Sequence, residues 1–145
     1  MIEIRSLAKD YYIDKKPFRA LSNINLSFPS QQFVSVLGPS GCGKTTLLNV
    51  LGGLDSITEG DIIINGQSLK KMNSQELDSY RNNEIGFVYQ QYILIPQLTV
   101  IENIEVALAV RDYSDAEVKE KALKALDEVG LKDIAKKKPN QLSGG

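Results

Sequence analysis

The stretch Gly38-Pro-Ser-Gly-Cys-Gly-Lys-Thr45 constrains this chain more than any other. Glycines at 38, 41 and 43 open backbone conformations closed to other residues and let main-chain N–H groups come close to a ligand. A turn of this kind leading into a helix points several N–H groups, and the positive end of the helix dipole, at one place. The flanking residues supply that context. Phe33–Leu37 (FVSVL) is a short apolar run that reads as a strand. Thr45–Leu54 repeats Leu47, Leu48, Leu51 and Leu54 at helical spacing, and Gly52-Gly53 loosens its end. Strand, glycine-rich turn and helix together match G-x-x-x-x-G-K-[ST] and imply a site for nucleotide phosphate. There Lys44 reaches the β- and γ-phosphate oxygens, the Thr45 hydroxyl is placed to ligate Mg²⁺, and Thr46 reaches the α-phosphate. Pro39, Ser40 and Cys42 fill the free positions of the nest.

Composition narrows the classes of function. The 145 residues suit about one domain with a real core. With 17 Lys+Arg against 18 Asp+Glu the balance is near neutral, which gives no electrostatic footprint for nucleic acid. One cysteine, Cys42, excludes an intramolecular disulfide and any multi-cysteine metal site. The absence of histidine excludes imidazole general-base chemistry and His-ligated zinc within these residues. No apolar run approaches the roughly 18 residues of a membrane span. The expectation is a cytosolic globular chain.

Along the chain, Ile2 and Ile4 alternate with Glu3 and Arg5, and Leu21–Phe28 alternates Ile24, Leu26 and Phe28 with polar residues. These read as two strands joined by a hairpin at Asp14–Pro17. Gly60–Asn65 before Gly66 reads as another strand and turn, and Ile85–Tyr89 (IGFVY) as a further strand. Asn73 with Glu76, Thr99 with Glu102, and Ser114 with Glu117 stand at capping-box spacing. They predict helices over Asn73–Arg81, Thr99–Val110 and Asp115–Val129. The pattern predicts an α/β core, with an all-helical stretch from about Thr99 inserted into it.

The end of the chain narrows the kind of phosphate site. Leu142-Ser-Gly-Gly145 resembles the opening of the LSGGQ signature of ABC-type ATPases. Ile85-Gly-Phe-Val-Tyr-Gln90 resembles the strand and glutamine of that family's Q-loop. Leu94-Ile-Pro96 and Leu98–Asn103 resemble the segment that leads into its helical subdomain. Together with Tyr80-Arg-Asn they most resemble the branch that exports lipoproteins, macrolides or antimicrobial peptides.

The resemblance implies a P-loop NTPase core of the ABC type, with an N-terminal antiparallel β subdomain and an inserted helical subdomain. Residues 1–98 would form the β subdomain and part of the core, and 99–145 the helical subdomain ending in the signature. By the same resemblance an aromatic after the first strand stacks on adenine, and Lys9-Asp-Tyr11 matches best, with Tyr12 adjacent. Gln90 would touch Mg²⁺ or the attacking water. Ser143, Gly144 and Gly145 would bind the γ-phosphate held by a second copy in a head-to-tail dimer. An ATP-binding subunit of this kind couples MgATP to a separate integral membrane permease, from the inner face of the cell membrane.

The family's Walker B aspartate, catalytic glutamate and switch histidine lie beyond the signature, and the 145 residues contain none of them. The C-terminal part of the core is therefore expected to be missing, the chain being a truncated product or a fragment, and no hydrolysis is expected from these residues alone. The alternatives are a nucleotide-binding protein that does not hydrolyse, and a soluble ABC-type ATPase of DNA repair or translation.

Overall fold

A computed structural model of the chain describes residues 1–89 and 92–143. They fall in two compact units, Met1–Val88 and Tyr89–Gly145.

The first unit is built on a four-stranded antiparallel sheet. Strand β1 (Ile2–Ile13) pairs with β2 (Lys16–Phe28), from Ile2 opposite Phe28 to Ile13 opposite Lys16. The connecting turn is two residues, Asp14-Lys15, with φ of 50° and 65°, tighter than the Asp14–Pro17 loop expected. Positive φ at both positions twists the turn in the same sense as the strands it joins. On the other side β1 pairs with β3 (Glu59–Ile64), and β3 with β4 (Gln67–Ser68) across Asn65-Gly66. The order is β2-β1-β3-β4.

The ladder of β1 is irregular between Ile4 and Asp10. Ser6 adopts φ 47°, and its N–H donates to Asn25 Oδ1 at 2.8 Å. Past this bulge the simple alternation of faces is broken, and Leu7, Ala8 and Lys9 are consecutively buried. A strict period of two would send one of them to solvent.

Helix α1 (Lys44–Leu51) lies on this sheet. Its Leu47 and Val50 join Ile4, Leu7, Leu21, Ile62, Leu69 and Tyr80 in the core. Leu7, Ile62 and Val50 are the largest side chains removed completely from water, and each such burial contributes about 1.5–3 kcal/mol. Helix α2 (Ser74–Asn83) closes the far end of α1. The Tyr80 hydroxyl donates to Leu51 O at 2.8 Å and Arg81 donates to Gly53 O at 2.7 Å. Both acceptors lie where α1 runs out of its own N–H partners. The capping box of α2 is formed: Glu76 N–H donates to Asn73 Oδ1, and Asn73 N–H to Glu76 Oε2.

In the second unit, helix α3 (Val100–Leu108) and helix α4 (Asp115–Glu128) pack together, with Ala122, Leu126 and Ala135 buried. Both open with the expected boxes, Thr99 with Glu102 and Ser114 with Glu117. Two first-turn N–H groups of α3, those of Val100 and Ile101, donate to the carbonyls of Lys137 and Ala135. The Asn103 side chain ties down the entry to the helix. Its Oδ1 accepts from Ile95 N–H at 2.7 Å, and its Nδ2 donates to Thr99 O at 2.9 Å.

Two expected strands are not formed. Phe33–Leu37 and Ile85–Tyr89 take no strand structure and join no sheet among the described residues. Phe33 and Leu37 are 99% and 87% exposed, and Val88 is 99% exposed. Near-continuous apolar runs of this kind belong to strands covered on both faces by neighbours, and a ladder needs a partner as well as a suitable run.

Candidate nucleotide-binding site

The phosphate loop runs from Gly38 into α1, and Gly43 is its pivot. Gly43 is the N-cap of α1, with φ 92° and ψ 6°, in the left-handed region. A Cβ there would stand 2.9 Å from Ala20 O and 3.0 Å from a Leu21 methyl, so both conformation and space demand glycine. No side chain caps the N-terminus of α1, and no acidic residue lies in its first turn. Each of the other three α-helices carries a capping oxygen and a first-turn carboxylate. The first-turn N–H groups of α1 are thus left to a ligand, and helix dipole and open donors together favour an anion.

Lys44 lies folded back into the loop. Its ammonium donates to Gly38 O at 2.8 Å and Pro39 O at 2.6 Å, with Cys42 Sγ at 3.7 Å. Ser40, Gly41, Cys42 and Thr45 are exposed along the same turn, and Thr46 is half-buried one residue further. The arrangement presents backbone donors, one flexible cation and two exposed hydroxyls, those of Ser40 and Thr45. That set suits a polyphosphate, and the exposed Thr45 hydroxyl adds a hard oxygen donor of the kind Mg²⁺ takes.

Tyr11 stands at the outer end of β1, on the side of α1. Its hydroxyl donates to Asp55 Oδ2 at 2.7 Å. Burial raises the phenol above its ordinary value, the bond to Asp55 adds to the rise, and the Thr46 side chain opposes it. Tyr12, its neighbour, is 74% exposed.

Lys9 and Asp55 escaped the sequence reading. Lys9 Nζ donates to Asp55 Oδ1 at 2.5 Å, to Ser56 O at 2.9 Å and to Ser56 Oγ at 3.1 Å. Burial alone would raise the Asp55 carboxyl. Hydrogen bonds from Lys9, Tyr11 and the Ser56 N–H override it and hold the group below the usual carboxylate range. Position 9 is polar in a strand read by alternation, and no local signal links it to a loop 46 residues later. Only the bulge in β1 turns it inward.

Ser143 is exposed at the end of the second unit. Gln90, Gly144 and Gly145 lie outside the described residues, as does the metal-side role expected of Gln90. Among the described residues no helix is long and apolar enough to cross a membrane.

Comparison with known proteins follows the same lines. The model of the ABC transporter family matches residues 21–145. An uncharacterized ABC transporter ATP-binding protein of Methanocaldococcus jannaschii, MJ0796, is 41% identical over the whole chain, which covers 63% of that protein. The lipoprotein-releasing system ATP-binding protein LolD of Bacteroides fragilis is 39% identical, with 100% of this chain and 65% of that one aligned. The chain therefore spans just under two thirds of the length of these relatives. The dimeric structure of the MJ0796 cassette bound to ADP and Pi superimposes with a TM-score of 0.89 at 40% identity, covering 99% of this chain and 64% of that one. A family match over most of the chain and a shared cassette fold agree with the loop geometry: this chain belongs to the ABC transporter family of ATP-binding proteins.

Proposed function

We propose that this chain forms the MgATP-binding part of an ABC transporter subunit that works from the cytoplasmic face of the cell membrane with a separate integral permease. The observation that carries the reading is the N-terminus of α1, which has no cap and no acidic residue and is reached through a left-handed Gly43, with the Lys44 ammonium inside the turn. In this reading Gly38, Pro39, Ser40, Gly41, Cys42 and Gly43 wrap the phosphates with backbone N–H groups. Lys44 turns from the carbonyls of Gly38 and Pro39 to the β- and γ-phosphates. Thr45, with Gln90, holds Mg²⁺, and Thr46 meets the α-phosphate. The Tyr11 ring carries the adenine. Ser143, Gly144 and Gly145 face the γ-phosphate of a second subunit in a head-to-tail dimer. The relatives' names support export of the lipoprotein-releasing type, with the transported molecule chosen by the permease.

The test is a fluorescent-ATP titration of the unmutated protein and Lys44→Ala. Losing a charge-assisted contact to phosphate weakens ATP by about 2–3 kcal/mol and leaves adenosine nearly unaffected. Equal ATP affinities would remove the phosphate-loop assignment.

A further inference from the structure

The group that holds Tyr11 in place is as informative as Tyr11 itself. An aromatic platform selects a base only if its plane is fixed at a set distance from the phosphates, and two degrees of freedom must be removed for that. The Tyr11 hydroxyl lies on the ring axis, so its 2.7 Å bond to Asp55 Oδ2 fixes where the ring points but not its rotation about that axis. The rotation is a broad, two-fold torsion in an unrestrained tyrosine. Here the Lys9 ammonium stands over the ring, 5.0 Å from its centroid. A cation on one face holds the ring plane and leaves the opposite face for a second flat group.

Lys9 in turn has no freedom. It is 4% exposed, and its three ammonium donors go to Asp55 Oδ1, Ser56 O and Ser56 Oγ. A buried ammonium stays charged only with such a partner set. Asp55 is fixed from its own side. Its N–H donates to Asn49 O of α1 at 3.3 Å, and its Oδ1 accepts from Ser56 N–H at 2.8 Å. One helix therefore indexes both ends of a nucleotide: its N-terminus faces the phosphate loop, and the loop after its C-terminus, through Asp55, faces the aromatic ring.

We propose that Asp55 is a positioning residue for the base platform, its carboxylate holding the Tyr11 phenol on one oxygen and the buried Lys9 ammonium on the other, so that α1 sets the spacing between base and phosphates. The proposal rests on the reading of Tyr11 as the surface that carries adenine. Asp55 touches neither base nor phosphate, so its loss lowers the preference for ATP over inorganic tripolyphosphate and leaves tripolyphosphate binding alone. A defect of folding or of the phosphate loop would weaken both ligands together.

Calorimetric dissociation constants of MgATP and magnesium tripolyphosphate, on the 145-residue chain, separate these cases. Asp55→Ala alone strands the Lys9 charge, so the informative variant is Lys9→Met/Asp55→Ala, which removes the pair. Stacking of a base on an aromatic ring sets the scale, and Tyr11→Ala is expected to lower the preference for ATP about tenfold. The double variant is expected to lower it at least about threefold, and to lower it no further in the Tyr11→Ala background, because both act through one ring. A double variant that keeps the full preference while Tyr11→Ala loses it overturns the positioning role and leaves the platform standing. Tyr11→Ala with an unchanged preference overturns the platform reading and the proposal with it. Should the double variant fail to fold, Tyr11→Phe keeps the ion pair and tests the phenol tether by itself. A loss of about threefold supports the tether, and an unchanged ratio overturns it.

Discussion

At Cys42 a sequence position without assigned chemistry becomes a reporter. The thiol is exposed, 3.7 Å from the Lys44 ammonium, on the turn proposed to enclose the phosphates. If the loop wraps the phosphates as proposed, bound MgATP covers it, so maleimide labelling should slow several-fold in its presence, and mass spectrometry over time checks this. Labelling that ignores nucleotide would mean the loop does not close on phosphate. Asp55 makes a different residue-scale prediction. Its carboxyl is held below the ordinary range in the folded chain, so the folded state binds its proton less readily than the unfolded state does. The stabilisation is fully present above the unfolded value of about 3.9 and is lost as pH falls through the lower, folded value. Urea midpoints between about pH 5 and 2.5 should therefore fall less for Lys9→Met/Asp55→Ala than for the unmutated protein. Parallel decline of the two would show that the pair is not what acid breaks.

Elements were legible where their signal is local. The three capping boxes lie within four residues each, and each sets the start of its helix: Asn73 for α2, Thr99 for α3 and Ser114 for α4. The phosphate loop is local too, and Gly43 takes the backbone its motif requires. Removing one box should cost a predictable amount. Ser114→Ala deletes the hydroxyl that accepts from Glu117 N–H, and about 1 kcal/mol of stability goes with it. Urea unfolding followed by far-UV circular dichroism measures this, and an unchanged midpoint would mean that the box contributes nothing to the second unit. What the sequence could not disclose is non-local. Phe33–Leu37 and Ile85–Tyr89 have strand composition, but pairing depends on a neighbour that no run of five residues encodes. Lys9 is the same lesson in reverse, because the bulge at Ser6 decides which face it takes. Reading Tyr11 as a ring face alone likewise missed its hydroxyl, whose partner lies 44 residues away.

At the scale of the molecule, the core and the phosphate loop are stabilised by different parts of the chain. The apolar core gathers the sheet, α1, α2 and the Leu69–Lys71 turn around Leu7, Val50 and Ile62. The segment entering the loop, Phe33–Leu37, stands outside that core, with its two end residues almost fully exposed. The loop is therefore anchored on its helical side, through Gly43 against Ala20 and through α1, and on its other side, among the described residues, by the lysine bonds to Gly38 and Pro39. Exposed apolar side chains of this size bind hydrophobic dyes and promote association, yet removing them takes nothing from the core. Phe33→Ser/Leu37→Ser should accordingly reduce anilinonaphthalene sulfonate fluorescence and sedimentable aggregate, while the unfolding free energy from urea titration moves by no more than about 0.5 kcal/mol. The pair of readouts is decisive because the two roles open to this segment move them in opposite directions. A stability loss of several kcal/mol would place Phe33 and Leu37 inside a packed sheet in solution, and would show that the loop is braced on both sides.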